Sequence, residues 1–327
     1  MKIAIDSYCI FGPPLKLLAL LLTACCLCSC EFDPDEEFIP VTQSSLLLVK
    51  EETGRAELWQ QEGEVLNPNL GSALGLEILD LAGEANFCWL AAGQAGLVKF
   101  NMETNQVATS FVFDTLGVHR LTVGSIYILV GDTLRNSLLF VNKEDGELEY
   151  QIALEASPRK LLWRNQRFYV QVGSNEIHTF REETLSPLEK YTFDYPIVDL
   201  QADNGLSVWV QTQDSVLRAT AISVVTDQVR RPIEEAVTYQ KVRYTPFARD
   251  LYGSAILEDF FLEDGQLSGT ALTEVQDFEV DFFSGTLWIS QRDTVKIRNI
   301  RSGNLAALRQ GSPIFIKAYH YVAPKGE

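Results

Sequence analysis

Cysteine, histidine and long apolar stretches are scarce over most of this chain. The 327-residue sequence has six cysteines, and five of them (Cys9, Cys25, Cys26, Cys28 and Cys30) fall within the first 30 residues; only Cys88 lies beyond. A disulfide-framed domain spreads its cysteines through the fold, so that class is excluded. A zinc site needs ligands converging from spaced positions, and nothing downstream completes such a set. The three histidines, His119, His178 and His320, occupy unrelated contexts. No HExxH, GxSxG, P-loop or strand–helix GxGxxG pattern occurs, which removes the common hydrolase and nucleotide signatures. Past residue 30 no apolar run reaches the length of a membrane-spanning helix. Basic residues are in deficit too: 27 Lys and Arg stand against 44 Asp and Glu, a net charge of −17. Such a balance argues against nucleic acid and anionic head groups as partners.

What is present begins at the N-terminus. Lys16 precedes "LLALLLTACCLC", an apolar run of signal-peptide length and too short to span a bilayer. This segment resembles bacterial lipoprotein signal peptides, in which a small residue precedes the cysteine that becomes lipid-modified. Leu22-Thr23-Ala24-Cys25 fits the usual pattern, and Leu27-Cys28-Ser29-Cys30 fits more loosely. The carboxylates of Asp33, Asp35, Glu36 and Glu37 follow Cys30 closely. They resemble the acidic export tag of Bacteroidetes surface lipoproteins, which favours Cys30 as the lipidation site, with Cys25 as the alternative. The expected organisation is a signal peptide at 1–29, an acidic tether at 30–44, a folded domain at 45–321 and a short tail at 322–327.

Short strand-like runs recur about every 40 residues, the spacing of propeller blades. They are "LLLV" at 46–49, "FCWL" at 87–90, "IYIL" at 126–129, "FYVQ" at 168–171, "VWVQ" at 208–211, "SAIL" at 254–257 and "LWIS" at 287–290. Their β-branched, aromatic and leucine content suits buried strands. Ahead of them lie first strands: "LEILDL" at 76–81, "HRLTVG" at 119–124, "RKLLWR" at 159–164, "IVDLQA" at 197–202, "FARDLY" at 247–252, "VQDFEV" at 275–280 and "IFIKAY" at 314–319. Third and fourth strands follow, as in "SLLFVN" at 137–142 and "ELEYQIAL" at 147–154, separated by turns such as Glu144-Asp145-Gly146. The pattern predicts an all-β, seven-bladed propeller of four-stranded antiparallel blades. The last first strand has no blade of its own and "LLLV" has no first strand, so the C-terminal strand is expected to join the N-terminal blade. Blade boundaries blur over 221–274.

This organisation resembles the YncE-like, YVTN-type propellers, especially surface propeller lipoproteins of the Bacteroidetes. Some of those accompany TonB-dependent outer-membrane transporters and capture a ligand, cobalamin in the best-known case. The resemblance implies an outer-membrane, surface-exposed, monomeric capture protein with a TonB-dependent partner, a corrinoid or other nutrient as ligand, and neither catalytic residues, metal nor cofactor. An envelope scaffold without a small ligand is the alternative.

Candidate site residues follow from position. Loops leading into first strands and loops after second strands emerge on one face of a propeller, where ligands gather. The first set offers His119, Arg120, Arg159, Tyr195, Phe247 and Arg249, and the second Gln94, Asp132, Asn175, Gln213, Asp214 and Arg292. Asp277, Glu279 and Asp281 alternate, which puts them on one strand face, expected to be solvated or to line the channel. Trp89, Trp209 and Trp288 share a register that reads as packing between blades, whereas Trp59 and Trp163 break it.

Overall fold

The computed structural model describes residues 41–62, 65–67, 69–113, 117–202, 208–212, 216–219, 224–225, 239–244, 251–255, 259–263, 266–268, 275–281, 286–299, 305–310 and 313–324. The expected signal peptide, Cys25, Cys30 and the acidic tether lie outside them. One compact unit runs from Val41 to Ala323. Among the described residues no helix is long and apolar enough to cross a membrane.

The described residues form 28 strands. The first group is β1 (Val41–Glu51), β2 (Ala56–Glu62) and β3 (Val65–Asn67), followed by the four-residue helix α1 (Leu70–Ala73). Next come β4 (Asp80–Glu84), β5 (Phe87–Ala91), β6 (Leu97–Asn101) and β7 (Gln106–Phe111), then β8 (Arg120–Val123), β9 (Tyr127–Asp132), β10 (Ser137–Asn142) and β11 (Leu148–Ala153). The middle holds β12 (Pro158–Arg164), β13 (Arg167–Val172), β14 (Glu176–Arg181), β15 (Pro187–Thr192), β16 (Ile197–Ala202), β17 (Val208–Thr212), β18 (Val216–Ala219) and β19 (Val224–Val225). The rest are β20 (Tyr239–Tyr244), β21 (Leu251–Ala255), β22 (Asp259–Glu263), β23 (Gln266–Ser268), β24 (Val275–Asp281), β25 (Thr286–Gln291), β26 (Thr294–Asn299), β27 (Leu305–Gln310) and β28 (Pro313–Pro324).

These strands form seven four-stranded sheets, six of them from consecutive strands. The seventh has the order β28-β1-β2-β3, so the last strand lies beside the first. Successive first strands touch: β4 meets β8, β8 meets β12, β12 meets β16, β16 meets β20 and β20 meets β24. Beyond β24, the N–H of Ile316 in β28 reaches Asp277 of β24, and Lys317 of β28 reaches Asp80 of β4. The arrangement is an all-β, propeller-like set of antiparallel sheets.

Alternation explains why the second strands are apolar on both faces. Leu46 and Leu48 of β1 pack with Leu90 and Phe100 of the following sheet and with Ile78 just ahead of it, whereas Leu47 and Val49 of β1, with Trp59 of β2, pack with Trp288 and Val295 of the preceding one. A strand buried on both faces reads as an unbroken hydrophobic run, and "LLLV" is one. The same device joins Trp89 and Leu97 to Ile128 and Leu139, and Leu138 and Phe140 to Phe168 and Val170. Outer strands are the reverse: β11 exposes most of its residues. Glu182 ties two sheets together, accepting hydrogen bonds from the amides of Ile126 (2.8 Å) and Tyr127 (3.2 Å) and from Nε1 of Trp163 (2.8 Å). Trp59 and Trp163 are therefore packing residues, as are Trp89 and Trp288; the side chain of Trp209 lies outside the described residues.

Two strand assignments differ from expectation. The first strand of the second sheet begins at Asp80, so residues 76–79 of "LEILDL" form the approach to it. In the fifth sheet "YQKVRY" supplies the first strand β20, and Tyr244 pairs with Leu251 of β21 across a connection. "FARDLY" at 247–252 therefore straddles that connection. Periodic tyrosine and basic residues hid a strand whose pattern is less apolar than its neighbours'.

Candidate functional site

Side chains at the starting ends of several first strands come together around one cavity. A bulge sharpens this. In β16 the register slips between Ile197 and Asp199, which re-aims the aspartate that follows toward the cavity. At this end lies a cavity of about 660 Å³. Arg120, Arg159, Lys160, Asp199, Lys317 and Asp80 line it from the first strands, with Lys50 and Glu51 from the end of β1. Gln171, Glu279, Gly54 and the apolar side chains of Leu161, Ile197, Leu200, Phe315 and Ile316 complete the described wall.

Some of these charges neutralise one another. Lys317 Nζ lies 2.7 Å from Asp80 Oδ1, and Lys160 pairs with Asp199. Asp80 also braces the fold. Its Oδ1 accepts the Leu81 amide at 2.9 Å, and its Oδ2 accepts the amide of Leu121, in the next sheet, at 3.1 Å.

Three cations are not matched. Among the described residues Lys50, Arg120 and Arg159 make no ion pair. Arg120 is held from behind by backbone carbonyls: Nε donates to Arg159 O at 3.1 Å, and Nη1 donates to His119 O at 2.9 Å and Leu79 O at 3.5 Å. Those bonds fix the guanidinium without discharging it. Lys50 Nζ sits 5.4 Å from the Phe315 ring centroid. Burial, with the positive charges of Arg120 and Lys317, pulls the Lys50 ammonium down to about 8 against the attraction of Asp80 and Glu77. Gln171 is buried in the wall; its Nε2 donates to Ile197 O at 3.3 Å, and its Oε1 has no partner among the described residues.

The remaining positional candidates fall elsewhere. His119 is a strut. Its Nδ1 accepts the Thr133 amide at 3.3 Å, which places the proton of the neutral ring on Nε2, and burial lowers its pKa. Asp132 is buried at a turn. Burial acts to raise its pKa, and the amides of Gly117, Arg135 and Leu134 with the Arg135 guanidinium outweigh that and hold it low. Asn175 donates to Phe193 O at 3.0 Å and latches the β14–β15 edge. Gln94, Tyr195 and Arg292 are exposed and are not among the described residues lining the cavity. Gln213 and Asp214 lie outside the described residues, as do Phe247 and Arg249. The last two fall between β20 and β21, not ahead of a first strand as expected. Of the twelve positions, then, the structure brings Arg120 and Arg159 together at the cavity, with His119 behind them.

The acidic alternation in β24 divides. Asp277 is buried, not solvated; Oδ1 accepts the Phe278 amide and Oδ2 the Ile316 amide, both at 2.9 Å, while Glu279 faces the cavity. The side chain of Asp281 lies outside the described residues. His178 of β14 is half-buried beside Glu176, at 3.2 Å. Among the described residues no three His, Cys, Asp or Glu side chains group to hold a metal ion. Lys50, Lys160, Lys317, Asp80, Asp199 and Gln171 were not anticipated. A signal for the aspartates existed: "ILDL" at 78–81, "IVDL" at 197–200 and "VQDF" at 275–278 repeat an aspartate before an apolar residue.

No family model and no curated protein matches the chain. Solved structures do. A candidate 6-phosphogluconolactonase from Bacteroides uniformis ATCC 8492 aligns with 14% identity over 84% of this chain and 99% of its own, at a TM-score of 0.59. The computationally designed Ika8 protein aligns with 11% identity over 82% of this chain and 85% of its own, at 0.54. A chain of the Mitotic Checkpoint Complex aligns with 13% identity over 71% of this chain and 76% of its own, also at 0.54. At these identities the likeness is one of fold.

Proposed function

We propose that the chain is a seven-bladed propeller lipoprotein that captures a polar organic ligand in its axial cavity and presents it to a TonB-dependent outer-membrane transporter. The observation that carries the capture reading is the cavity: about 660 Å³ of space bordered by cations that the described residues leave unmatched. Its aspartates Asp80 and Asp199 are engaged by Lys317 and Lys160, and no described lining residue is a Ser, Thr, Cys, Tyr or His. That composition suits holding a ligand better than covalent chemistry on it. The seven-blade count rests on the seven sheets, and ring closure rests on the order β28-β1. Lipidation at Cys30 and surface exposure rest on the signal-like segment and the acidic run after it. A corrinoid is one ligand to test; a scaffold role without a small ligand is the alternative.

Calorimetric titration of the full chain with corrinoids, sugars and organic acids tests the capture reading. Saturable binding without turnover supports it. If a well-folded sample binds none of them, capture gives way to the scaffold. For the anchor, mass spectrometry of the membrane-purified protein is expected to find the lipid on Cys30, and the Cys30→Ser variant to release the protein. If the lipid sits on Cys25 instead, the reading of the acidic tag fails.

A second reading has one specific observation behind it. The cavity is cationic, and one structural neighbour is a candidate lactonase whose name carries a phosphorylated sugar acid. Glu51 and Glu279 would then be the carboxylates to act as general base. Conversion of 6-phosphogluconolactone above the spontaneous rate, lost in Glu279→Gln, would establish it.

A further inference from the structure

We infer that the axial cavity is an anion site: Lys50 and Arg120, with Arg159 beside them, receive a carboxylate or phosphate group of a small organic ligand. The inference rests on the capture reading above and adds the ligand's charge.

The chain as a whole is strongly acidic, with 27 basic residues against 44 acidic ones. The described wall of its cavity departs from that balance by a small cationic excess. The described wall holds five cations (Lys50, Arg120, Arg159, Lys160 and Lys317) and four carboxylates (Glu51, Asp80, Asp199 and Glu279). A random sample of this surface would be anionic. The excess has a position as well as a sign. Lys160 and Lys317 each pair with an aspartate, which leaves Lys50, Arg120 and Arg159, where β1 ends and β8 and β12 begin, as the cations without an ion pair among the described residues, with Glu51 and Glu279 in the same wall.

Arg120 is prepared for this role. Carbonyls of Leu79, His119 and Arg159 occupy Nε and Nη1, and Nη2 makes no hydrogen bond among the described residues. A guanidinium locked on one edge loses little freedom when its other edge meets an anion, and carboxylate and phosphate both match its planar donors. Lys50 adds a partly desolvated ammonium whose proton is weakly held. Two cations brought together under burial repel each other, and an anion between them removes that cost. The unpartnered Oε1 of buried Gln171 adds an acceptor to the wall for a hydroxyl or amide of the same ligand. The apolar patch of Leu161, Leu200 and Phe315 sets a limit on polarity: the ligand has a carbon skeleton.

The test is calorimetry on the full chain at pH 7, in a buffer free of phosphate and carboxylate. The probes are citrate, succinate, glucose 6-phosphate and inorganic phosphate, with glucose as the uncharged control. Saturable binding of at least one organic acid or sugar phosphate, and none of glucose, is the expected result. Comparing the carboxylates with the phosphates identifies which anion the site prefers. Arg120→Gln is expected to weaken binding about tenfold to a hundredfold, the range for a hydrogen bond to a charged group. Because Arg120 also braces three carbonyls, Lys50→Met and Arg159→Gln are measured beside it and are expected to fold and to bind more weakly. Lys190→Gln, on the outer strand β15, is the control and is expected to bind as the parent does. If glucose binds and no anion does, the anion inference falls and capture stands. Anion binding unchanged in both Lys50→Met and Arg159→Gln also overturns it. If nothing binds to a folded sample, capture itself falls with it.

Discussion

Oδ2 of Asp277 accepts the backbone N–H of Ile316 at 2.9 Å, joining β24 to β28 across 39 residues of sequence. Asp80 makes the same bond to Leu121, across 41 residues, at 3.1 Å. In both, the other oxygen accepts the amide of the residue that follows the aspartate. A buried carboxylate thereby saturates an amide of the neighbouring first strand. Asp277→Ala leaves two buried amides unsatisfied and is expected to lower stability by about 2–4 kcal/mol, at about 1–2 kcal/mol for each bond. Urea unfolding of the variant beside the parent measures it. A change below about 0.5 kcal/mol would show that water replaces the carboxylate.

Cys88 gives a second expectation. Its side chain is fully buried in β5, and burial pushes the thiol far above its ordinary value. The thiolate is the reactive form. Cys88 is therefore expected to resist a thiol reagent in the native protein and to react stoichiometrically in denaturant. Rapid native labelling, followed by mass spectrometry, would mean that the second sheet opens locally.

Much of this architecture is legible from the order of residues. Buried strands announce themselves because both faces pack, so "LLLV", "FCWL" and "LWIS" appear as unbroken apolar runs. The end strands are legible because one first strand is left over and one is missing. What stays hidden is whatever depends on another sheet. Asp80, Asp199 and Asp277 look like ordinary strand polars, and their work lies in bonds to amides and lysines of other sheets. Arg120 and Arg159 are legible from position alone, since they begin first strands. Lys50 ends β1, whose inner neighbour is β28, so its place at the cavity depends on a pairing between the two ends of the chain. His119 misleads: a histidine at a loop–strand junction resembles a ligand, and only Thr133 and Asp132 beside it show a strut.

Lys50 makes stability and binding depend on pH in opposite directions. Its ammonium faces Arg120 and Lys317, which repel it, and Asp80 and Glu77, which attract it. In the folded chain it titrates near 8, against an ordinary value of 10.5. Between these values the unfolded chain binds more protons than the folded one, so this group's contribution to stability rises with pH across the window. Below pH 8 the penalty is fully present. Lys50→Met is therefore expected to melt higher than the parent at pH 7, with the gap closing between pH 8 and 10.5. Anion affinity should fall over the same rise, as the ammonium is lost. Melting curves at about pH 7, 9 and 10.5 check the first expectation. A gap that does not change with pH would mean that Lys50 titrates normally.

Gly83 and Tyr319 bear on the proposed ring closure. A Cβ built on Gly83 of β4 would collide with the Tyr319 ring of β28, and the Tyr319 hydroxyl donates to Ala85 O at 2.5 Å. The ring of the last strand therefore lies against a residue without a side chain, with its hydroxyl pinned beyond. Glycine is needed here for close approach, not for its backbone angles. Gly83→Ala must displace the tyrosine, and overpacking of this kind costs about 1–3 kcal/mol. Tyr319→Ala vacates the same space and loses its packing and its hydrogen bond. If the contact holds β28 against the second sheet, the two changes are not additive. Once the ring is gone, Gly83→Ala should be nearly silent, and the double variant should match Tyr319→Ala alone. Denaturant unfolding of the four proteins measures the coupling. Additive losses would separate Gly83 from Tyr319 and remove one support for closure through the last strand.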